Sequence, residues 1–408
     1  MPFNTGLSGL NAASADLRTT GNNVANAGTV GFKQSRAEFA DVFPPAFGGV
    51  NQTAIGGGVR LAAVTQQFSQ GNIDFTGNNL DLALNGQGFF VLNDAGSQVY
   101  SRAGAFQVNR DDFVVNSQGQ RLQVYPAQDK VGARFNTGAL TDLKLSTGVA
   151  PPKASELVTA TLNLSSEAEV IDPAIAFDIA DPGTYNNSTS LTLYDSLGEA
   201  HTATLYFRKT DALEWDSYLA IDGGLVGDSR PLQFDSKGSL VDPSTGRFDF
   251  GGTFQPVNGA DPLALTFDMG ATTQFGSPFN VSKLSQDGFT TGRLSGVDID
   301  ASGVVFARFT NGESLSLGKV ALANFPNPQG LQQLGDNTWG SSFAAGEVVL
   351  GEADAGDFGL IQSGGLEGSN VDIAEQLVNL IAAQRNFQAN AQVISTADTI
   401  TQTIINIR

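Results

Sequence analysis

The segment that decides the fold lies at the C-terminal end, where residues 370–408 read NVDIAEQLVNLIAAQRNFQANAQVISTADTITQTIINIR. Neither Pro nor Gly interrupts residues 371–408. Apolar and small residues, with a few polar interruptions, recur at alternating spacings of three and four, which is the heptad pattern of a helix that packs against another helix. This stripe consists of Ile373, Leu377, Leu380, Gln384, Phe387, Ala391, Ile394, Asp398, Thr401 and Ile405. The segment predicts a helix roughly 55 Å long, at 1.5 Å per residue.

A second apolar face runs along the same predicted helix. Its members are Val378, Ile381, Ala389, Val393, Ile400, Ile404 and Ile407. One stripe can be covered by one partner helix, whereas two faces need two neighbours. The terminal helices therefore either pack on the rest of the chain or pair and then pack against other copies of it. We favour the second interpretation, because an exposed apolar stripe of this length is otherwise an association liability.

The N-terminal end carries a matching heptad pattern. Its stripe consists of Phe3, Leu7, Leu10, Ser14, Leu17, Gly21 and Val24. The pattern predicts a helix over residues 1–28 that forms a coiled coil with the C-terminal helix, residues 371–408. The apolar members of the two stripes are the predicted self-assembly residues.

Short β-strands separated by turn signals dominate between the two ends. Turn pairs such as Asn85-Gly86 and Asn311-Gly312 alternate with apolar runs such as Leu80–Leu84 and Val304–Phe309, a pattern typical of antiparallel hairpins. The predicted fold is mainly β with terminal α-helices, in which two β-barrel- or sandwich-like domains accompany a helical coiled coil.

The charge distribution divides the β region. Residues 148–280 contain six Lys/Arg and eighteen Asp/Glu, whereas residues 1–70 contain four and three. This acidic middle, with Pro151-Pro152 near its start and Pro278 near its end, predicts a solvent-facing insert over 148–280. The β domain that it interrupts is predicted at 71–147 and 281–356, with extended connectors at 29–70 and 357–370.

Composition excludes several classes of function. The chain has no cysteine and one histidine, His201, so thiol chemistry, disulfides and multi-histidine metal sites are excluded. The net charge of -19 opposes binding to nucleic acid or to anionic membranes. No apolar run is long enough for a membrane helix, and no secretory signal peptide is visible.

No motif supports an enzyme. Asp298–Phe309 begins like a calcium loop but has Phe309 where the loop needs Glu. Glu214 and Asp216 share one face of a predicted strand without the partner cleft that a glycosidase needs. Gly56-Gly57-Gly58 lacks the Lys-Ser/Thr of a phosphate loop. We therefore expect no catalytic residue, no cofactor and no metal site.

Both ends resemble a known family. The N-terminal run includes Gly21-Asn22-Asn23, Asn26 and Gly31-Phe32-Lys33, and the C-terminal run includes Asn370, Gln384-Arg385, Phe387 and Asn390. These runs, in this order, are similar to the signatures of bacterial flagellar axial proteins of the rod and hook. Within the family, the stretches Gln286–Gly292 and Ala323–Pro328 resemble the hook branch in particular. The distal rod protein shares both ends but is shorter and lacks the acidic insert.

The resemblance implies a structural role. Hook subunits pair their terminal helices as the inner coiled coil of a helical tube, a flexible universal joint that passes motor torque to the filament. It also implies a set of partners: other copies of the chain, the distal rod protein, the hook cap, the hook–filament junction protein and the flagellar type III export apparatus. The expected location is the extracellular hook or basal body of the flagellum, reached without a cleaved signal peptide.

An adhesive or carbohydrate-binding β protein that oligomerises through a coiled coil is the alternative from another class. Such a protein needs aromatic platforms. Trp215 and Trp339 are the only two tryptophans in the chain, which is a weak basis for sugar binding.

Overall fold

The fold is that of a computed structural model, which describes residues 2–42, 56–129, 134–145, 148–172 and 174–406, with the side chains of Pro2 and Ile404 excepted. Two α-helices lie at the ends, α1 (Pro2–Ala25) and α2 (Ile373–Asn406), and β-strands joined by turns and loops occupy the region between them. The prediction of a mainly β chain with terminal α-helices is confirmed. Residues 43–55, inside the predicted connector, and Ile407, in the predicted second face, lie outside the described residues.

The strands of the described residues are numbered in chain order. They are β1 (Ser35–Asp41), β2 (Val59–Gln66), β3 (Ile73–Phe75), β4 (Leu82–Asn85), β5 (Phe89–Asp94), β6 (Ser97–Ser101), β7 (Gln107–Val108), β8 (Val114–Val115), β9 (Arg121–Pro126), β10 (Thr141–Asp142), β11 (Leu157–Ser165), β12 (Asn187–Tyr194), β13 (Ala200–Asp211), β14 (Glu214–Ile221), β15 (Gly224–Leu225), β16 (Arg230–Phe234), β17 (Leu240–Asp242), β18 (Arg247–Phe248), β19 (Thr266–Asp268), β20 (Thr273–Phe275), β21 (Asn280–Gln286), β22 (Leu294–Ile299), β23 (Val304–Phe309), β24 (Ser314–Asn324), β25 (Gln332–Gly335), β26 (Thr338–Gly340), β27 (Val349–Glu352), β28 (Leu360–Ser363) and β29 (Gly365–Glu367).

The chain divides into two compact units. Unit 1 comprises Met1–Ser146, Gly296–Arg308 and Ser314–Arg408, and unit 2 comprises Thr147–Ser295 and Phe309–Glu313. Unit 1 therefore contains both helices together with the β elements next to them in sequence.

Unit 1 is built around a large β-sheet in which neighbouring strands are often not consecutive in the chain. Its main path is β22-β23-β24-β9-β5-β6-β26-β25, and the short pairs β4–β28, β3–β29 and β1–β2 form separate two-stranded sheets. Strand β5 has both faces covered, since Phe89 and Val91 belong to one apolar cluster and Phe90 and Leu92 to another. Pairs such as β3–β29 join strands that are distant in sequence, so the chain returns to its starting region before α2 begins.

Unit 2 is a β-sandwich with its own core. One sheet contains β18-β19-β11-β20, with β21 also paired to β11, and the other contains β12-β13-β14-β16-β17. Strand β11 alternates half-buried and buried residues along its whole length, as a strand with one covered face does. Side chains from both sheets, including Leu162, Phe207, Trp215 and Phe267, share one apolar cluster.

Three predicted boundaries differ from the structure. The acidic insert extends beyond residue 280, because β21 pairs with β11 and Phe289 bridges to Lys153; Pro278 marks a turn before an edge strand. The connector 29–70 contains the hairpin β1–β2. The connector 357–370 contains β28 and β29. Burial along β1 and β2 does not alternate regularly, and β28 and β29 have only four and three residues, so these strands lack the period of two that reveals a strand in sequence.

Candidate functional site

The two terminal helices pack against each other in antiparallel orientation. Gly6 of α1 faces Ile394 and Gly9 faces Asn390, whereas at the other end Asn23 Nδ2 donates to Gln376 Oε1 over 3.2 Å. Residue numbers rise along α1 as they fall along α2, and the described residues 399–406 of α2 extend beyond the start of α1. This arrangement is called the helix pair below.

Small and polar residues of α1 form one side of the contact between the helices. On α1 this seam contains Gly6, Gly9, Ala13, Asp16, Thr20 and Asn23, and the buried residues of α2 are Gln376, Ala383 and Ala397. A Cβ atom on Gly9 would lie 2.2 Å from Asn390 Oδ1, so a larger side chain would displace the Asn390 side chain from the seam. Asp16 lies at this contact, and burial raises its pKa.

The predicted apolar stripes lie largely beside this seam. Phe3 is 39% exposed and Leu7 53%, and the other predicted members on α1, Leu10, Leu17 and Val24, are half-buried. On α2 the predicted residues separate into two groups. Ile373, Leu377 and Ile405 are exposed, whereas Leu380, Phe387 and Ile394 are half-buried along the seam.

The second apolar face of α2 is uncovered within the chain. Val378 is 65% exposed, and Ile381, Val393 and Ile400 are each about half exposed. A groove next to this face is lined by Ala389, Gln392, Val393, Thr396, Ala397 and Ile400. The helix pair thus presents large apolar side chains to its surroundings, and its seam combines small residues of α1 with Leu380, Phe387 and Ile394 of α2.

The N-terminal motif residues fasten α1 to the rest of unit 1. Asn23 is the central member: its Oδ1 accepts the Ser35 N–H at 2.9 Å and its Nδ2 donates to the Ser35 carbonyl at 2.8 Å. Asn26 closes the end of α1 by donating to the Asn22 carbonyl and accepting from Thr29 Oγ1. Gly21 is half-buried within α1 and Asn22 is exposed.

Gly31 has no room for any side chain. Its φ of +69° is left-handed, and a Cβ atom there would lie 2.5 Å from the Ala103 backbone nitrogen. Its N–H donates to the Glu367 carbonyl over 2.7 Å. The neighbouring Phe32 is half-buried. The segment that follows α1 therefore packs directly against β29, the strand that precedes α2.

A buried ionic cluster, here called the anchor, joins three distant parts of unit 1. It consists of Lys33, Arg102 and Glu367. Lys33 Nζ lies 2.7 Å from Glu367 Oε1, and Arg102 Nη1 lies 3.2 Å from Glu367 Oε2. The Lys33 and Glu367 side chains have no exposed surface, and that of Arg102 is 5% exposed.

Backbone groups complete the anchor. The Ser69 carbonyl accepts from Lys33, the Gly86 carbonyl accepts from Arg102, and the Gly71 N–H donates to Glu367. Burial lowers the pKa of Lys33 and of Arg102, and the Glu367 charge opposes that lowering. Two cations therefore depend on one carboxylate, so removing that carboxylate leaves buried charge uncompensated.

The C-terminal motif residues hold α2 beside this cluster. Asn370 accepts the Gln34 N–H at 2.8 Å and donates to the Gln67 carbonyl at 2.7 Å. Asp372 caps α2 by accepting the Ala374 N–H. Further along α2, Asn390 packs at the seam, whereas Gln384 and Arg385 are exposed.

Sequence reasoning identified Lys33 and Asn23 through the motif but missed their partners. Glu367 is 334 residues from Lys33 and 265 from Arg102, and no local pattern connects them. The small residues at Gly6, Gly9 and Ala13 were also missed as the seam, although their spacing of three and four was available as a signal.

Unit 2 contains a separate charged cluster around His201. His201 Nδ1 lies 2.7 Å from Asp222 Oδ2, and Nε2 lies 3.4 Å from Asp195 Oδ2. Burial disfavours protonation of His201, but hydrogen bonds and charge from Asp222 and Asp195 outweigh it and raise the His201 pKa. The same contacts, with others from Asn258 and backbone N–H groups, outweigh burial and lower the pKa of both carboxyls.

The residues considered for chemistry serve local structure. Asp300, in the stretch that begins like a calcium loop, accepts from Ser302 Oγ and from the Val304 N–H. Among the described residues, no group of three or more His, Asp or Glu side chains has metal-site geometry. Within the same part of the chain, neither terminal helix has the apolar run that a bilayer crossing needs.

Family models match most of the chain in order. They are the flagella basal body rod protein model (residues 3–33), the flagellar hook protein FlgE/F/G D1 domain (83–161), the flagellar basal body protein FlaE D2 domain (163–289) and the flagellar basal body rod FlgEFG protein C-terminal model (362–407). The two rod-type models coincide with the helices and their attachments, and the D2 model lies within unit 2.

Full-length relatives agree with these models. The chain is 35% identical to the flagellar hook protein FlgE of Escherichia coli (strain K12) over 100% of both chains. It is 31% identical to that of Treponema pallidum (strain Nichols), over 99% of this chain and 98% of the relative. The Helicobacter pylori flagellar hook protein FlgE2 shares the fold at a TM-score of 0.54 and 14% identity, covering 72% of this chain and 100% of that one.

These relatives match the acidic middle as well as both ends, which favours the hook branch over the shorter distal rod protein. This chain belongs to the FlgE family of flagellar hook proteins and has the role of a hook subunit.

Proposed function

We propose that the exposed apolar faces of the helix pair are the surfaces through which copies of this chain assemble into the hook tube. The observation that carries the proposal is that Leu7, Leu377, Val378 and Ile400 point away from the seam, each about half exposed or more. Burying one such side chain stabilises a contact by about 1.5–3 kcal/mol. A tube repeats that gain at every subunit.

The helices carry few charges, so many copies of the helix pair can pack together without strong electrostatic repulsion. α1 carries one acidic and one basic residue, Asp16 and Arg18, and α2 carries Glu375, Arg385 and Asp398. Residues 148–280 hold an excess of twelve acidic groups. We therefore place the helix pair in the inner wall of the tube and the acidic β domain on its solvent-facing outside, where like charges are screened by water and salt.

The motif residues have a mechanical part in this proposal. The anchor and the Asn23 and Asn370 hydrogen bonds hold the roots of both helices against the sheets of unit 1. Torque that reaches the helices would then pass into the β domains without melting the junction. Weak polar contacts between outer surfaces can exchange as the joint bends. No step of this function requires catalysis.

The partners follow from the same surfaces. Because rod-type models match both ends, we propose that the helix pair also continues the wall formed by the distal rod protein. We extend the proposal to the hook cap, the hook–filament junction protein and the flagellar type III export apparatus, with export that needs no cleaved signal peptide. The absence of cysteine fits passage as an unfolded chain, because no disulfide can block threading.

The test introduces one charge on the apolar faces. Leu7→Asp and Leu377→Asp should each abolish tube formation by purified protein at high concentration, since a buried unpaired carboxylate is costly. Electron microscopy reports the tubes, and tryptophan fluorescence reports whether the units remain folded. Asn11→Asp adds the same charge at an exposed position of α1 outside both stripes and should leave assembly intact. Normal tubes from the Leu7→Asp/Leu377→Asp double variant would refute the proposal.

A further inference from the structure

Three asparagine–glycine pairs occur in the chain, at Asn85-Gly86, Asn258-Gly259 and Asn311-Gly312. Such a pair is chemically labile, because the glycine nitrogen can attack the carbonyl carbon of the asparagine side chain without hindrance from a Cβ atom. All three pairs lie within the described residues. Their surroundings therefore show which of them is free to react.

The first pair is held by its surroundings. Asn85 is the last residue of β4, and the Gly86 N–H donates to Gln70 Oε1 over 3.1 Å. A Cβ atom on Gly86 would lie 2.7 Å from Gly359 Cα, so the backbone has little room to turn. The Gly86 nitrogen is thus both hydrogen-bonded and confined.

Asn258 and Asn311 adopt the same local turn. Each side-chain oxygen accepts the N–H two residues further on, that of Ala260 at 2.9 Å and that of Glu313 at 3.1 Å, so each residue forms an Asx turn. This turn folds the side-chain carbonyl over the peptide that follows it. Its hydrogen bond also stabilises the negative charge that develops on the oxygen when the carbonyl carbon is attacked.

The two glycines that follow these asparagines differ. The Gly312 N–H donates to the Phe309 carbonyl over 3.1 Å, and Asn311 is half-buried with its amide donating to the Thr290 carbonyl. Gly259 is exposed, a Cβ atom on it would have no neighbour within 4 Å, and no residue that the structure describes accepts its N–H. Of these three pairs, the second therefore combines a polarised carbonyl with a glycine nitrogen that is free to attack it.

We propose that Asn258 is a site of spontaneous deamidation, at which the folded chain converts a neutral amide into a carboxylate. The Gly259 nitrogen gives its proton to water and bonds to Asn258 Cγ. The Cγ–Nδ2 bond breaks, and the side-chain nitrogen takes a proton from water and leaves as ammonia. Water then opens the resulting five-membered succinimide at either carbonyl, which gives aspartate or isoaspartate. The inference does not depend on how copies of the chain assemble.

The new charge falls beside two existing carboxylates. Asn258 Nδ2 donates to Asp195 Oδ2 over 2.5 Å and to Glu199 Oε2 over 2.6 Å. Deamidation removes both donations and sets a third carboxylate against the two acceptors, and like charges this close repel. The hydrogen bond from the Asp261 N–H to Ser196 Oγ does not involve the amide and remains. The modification therefore loosens the contact between this loop and the turn that joins β12 to β13.

The test compares the three pairs within one protein. The full-length chain is incubated at neutral pH, digested at intervals and analysed by mass spectrometry, which measures deamidation at each pair separately. Asn258 should react at least tenfold faster than Asn85 or Asn311 in the folded chain. In urea the three rates should converge, because the same dipeptide is then exposed at all three positions.

Each outcome bears on one part of the inference. Equal rates in the folded chain, or a faster reaction at Asn85 or Asn311, overturn the assignment of the site. A difference that persists unchanged in urea assigns it to neighbouring sequence and overturns the structural argument. Asn258→Asp places one product in the loop directly: unfolding of unit 2 at a lower urea concentration than in the unchanged chain supports the loosening, and an equal midpoint overturns it.

Discussion

The helix pair and unit 2 bury opposite kinds of side chain. In unit 2 the largest apolar residues, Trp215, Phe207 and Phe267, have no exposed surface. In the helix pair the buried apolar residues are Ala13, Ala383 and Ala397, whereas Leu7 and Val378 are more than half exposed. Unit 2 therefore completes its own core, whereas the helix pair leaves large apolar side chains exposed within the chain.

The two regions also use buried charge differently. The anchor in unit 1 ties together segments separated by hundreds of residues, and it has no solvent-exposed member. The His201 cluster in unit 2 joins the start of β13 to carboxylates that directly follow β12 and β14, and Asp222 is 45% exposed. The anchor in unit 1 fixes where the segments next to the two helices attach. The His201 cluster in unit 2 links only residues near the ends of adjacent strands.

The largest expected effect comes from the anchor. Glu367→Gln leaves Lys33 and Arg102 buried without a counter-ion, which should lower the free energy of unfolding of unit 1 by about 3–5 kcal/mol. Trp339 lies in unit 1 and Trp215 in unit 2, so urea unfolding followed by Trp339 fluorescence in a Trp215→Phe background reports unit 1 alone. Glu347→Gln, at an exposed position, is the control. Equal stability of the two variants would show that the anchor contributes nothing to the attachment of the helices.

A matched pair of leucine truncations tests the difference in burial directly. Leu205→Ala empties a fully buried site in unit 2 and should cost about 2–5 kcal/mol of unit 2 stability. Leu7→Ala, at an exposed site, should change the stability of the unassembled chain by no more than about 0.5 kcal/mol. Urea unfolding gives both values, followed by Trp215 in a Trp339→Phe background for Leu205→Ala and by Trp339 in a Trp215→Phe background for Leu7→Ala.

In tube assembly, unlike in unfolding, Leu7→Ala should have a larger effect than Leu205→Ala. Under the proposed function, Leu7→Ala removes a contact between subunits and should raise the protein concentration needed for tube formation, whereas folded Leu205→Ala protein should assemble at the ordinary concentration. A Leu7→Ala chain that loses stability as Leu205→Ala does, or that assembles normally, would mean that Leu7 is already buried within its own subunit.

The sequence predicted the helices but not their mutual face. Heptad spacing identified both helices, and counting apolar residues then favoured Leu7 and Leu377 as the seam. On α1 the contact instead uses Gly6, Gly9 and Ala13, whereas on α2 the predicted Leu380, Phe387 and Ile394 do lie along it. Close approach of two helices gains many small contacts that a hydrophobic count cannot weigh. The period of a helix is a local property, whereas the choice among its faces depends on every surface that competes for it.

The anchor could not be predicted from local sequence either, because its members are distant from one another in the chain. Lys33 belonged to a recognisable motif, but a lysine in sequence is ordinarily a solvated residue. Its burial depends on Glu367 and Arg102, which strand pairing between β3 and β29 and the turns around Gly86 bring to it. Likewise, the pairing of β21 with β11 moved the end of unit 2 beyond the proline that had marked it.

The smallest expected effect is the pH dependence of unit 2. The raised pKa of His201 means that its contribution to stability is complete below about pH 6.5 and is lost as pH rises through the raised value. The lowered pKa values of Asp195 and Asp222 mean that their contributions are present above about pH 3.9 and are lost as pH falls through the lowered values. Unit 2 should therefore be most stable between about pH 4 and 6.5. Urea unfolding followed by Trp215 fluorescence measures this.

His201 is the only histidine of the chain. Histidine is the only type of side chain whose unperturbed pKa lies between about pH 5 and 8. The fall in stability above pH 6.5 should therefore disappear in His201→Gln, while the fall at acid pH remains. Unit 1 contains no histidine, so the His201→Gln change should leave the stability of unit 1, followed through Trp339, unaltered across this pH range. If unit 1 lost stability above pH 6.5 as unit 2 does, the titrating group would lie outside the His201 cluster. The two units would then not differ in how their charged groups make stability depend on pH.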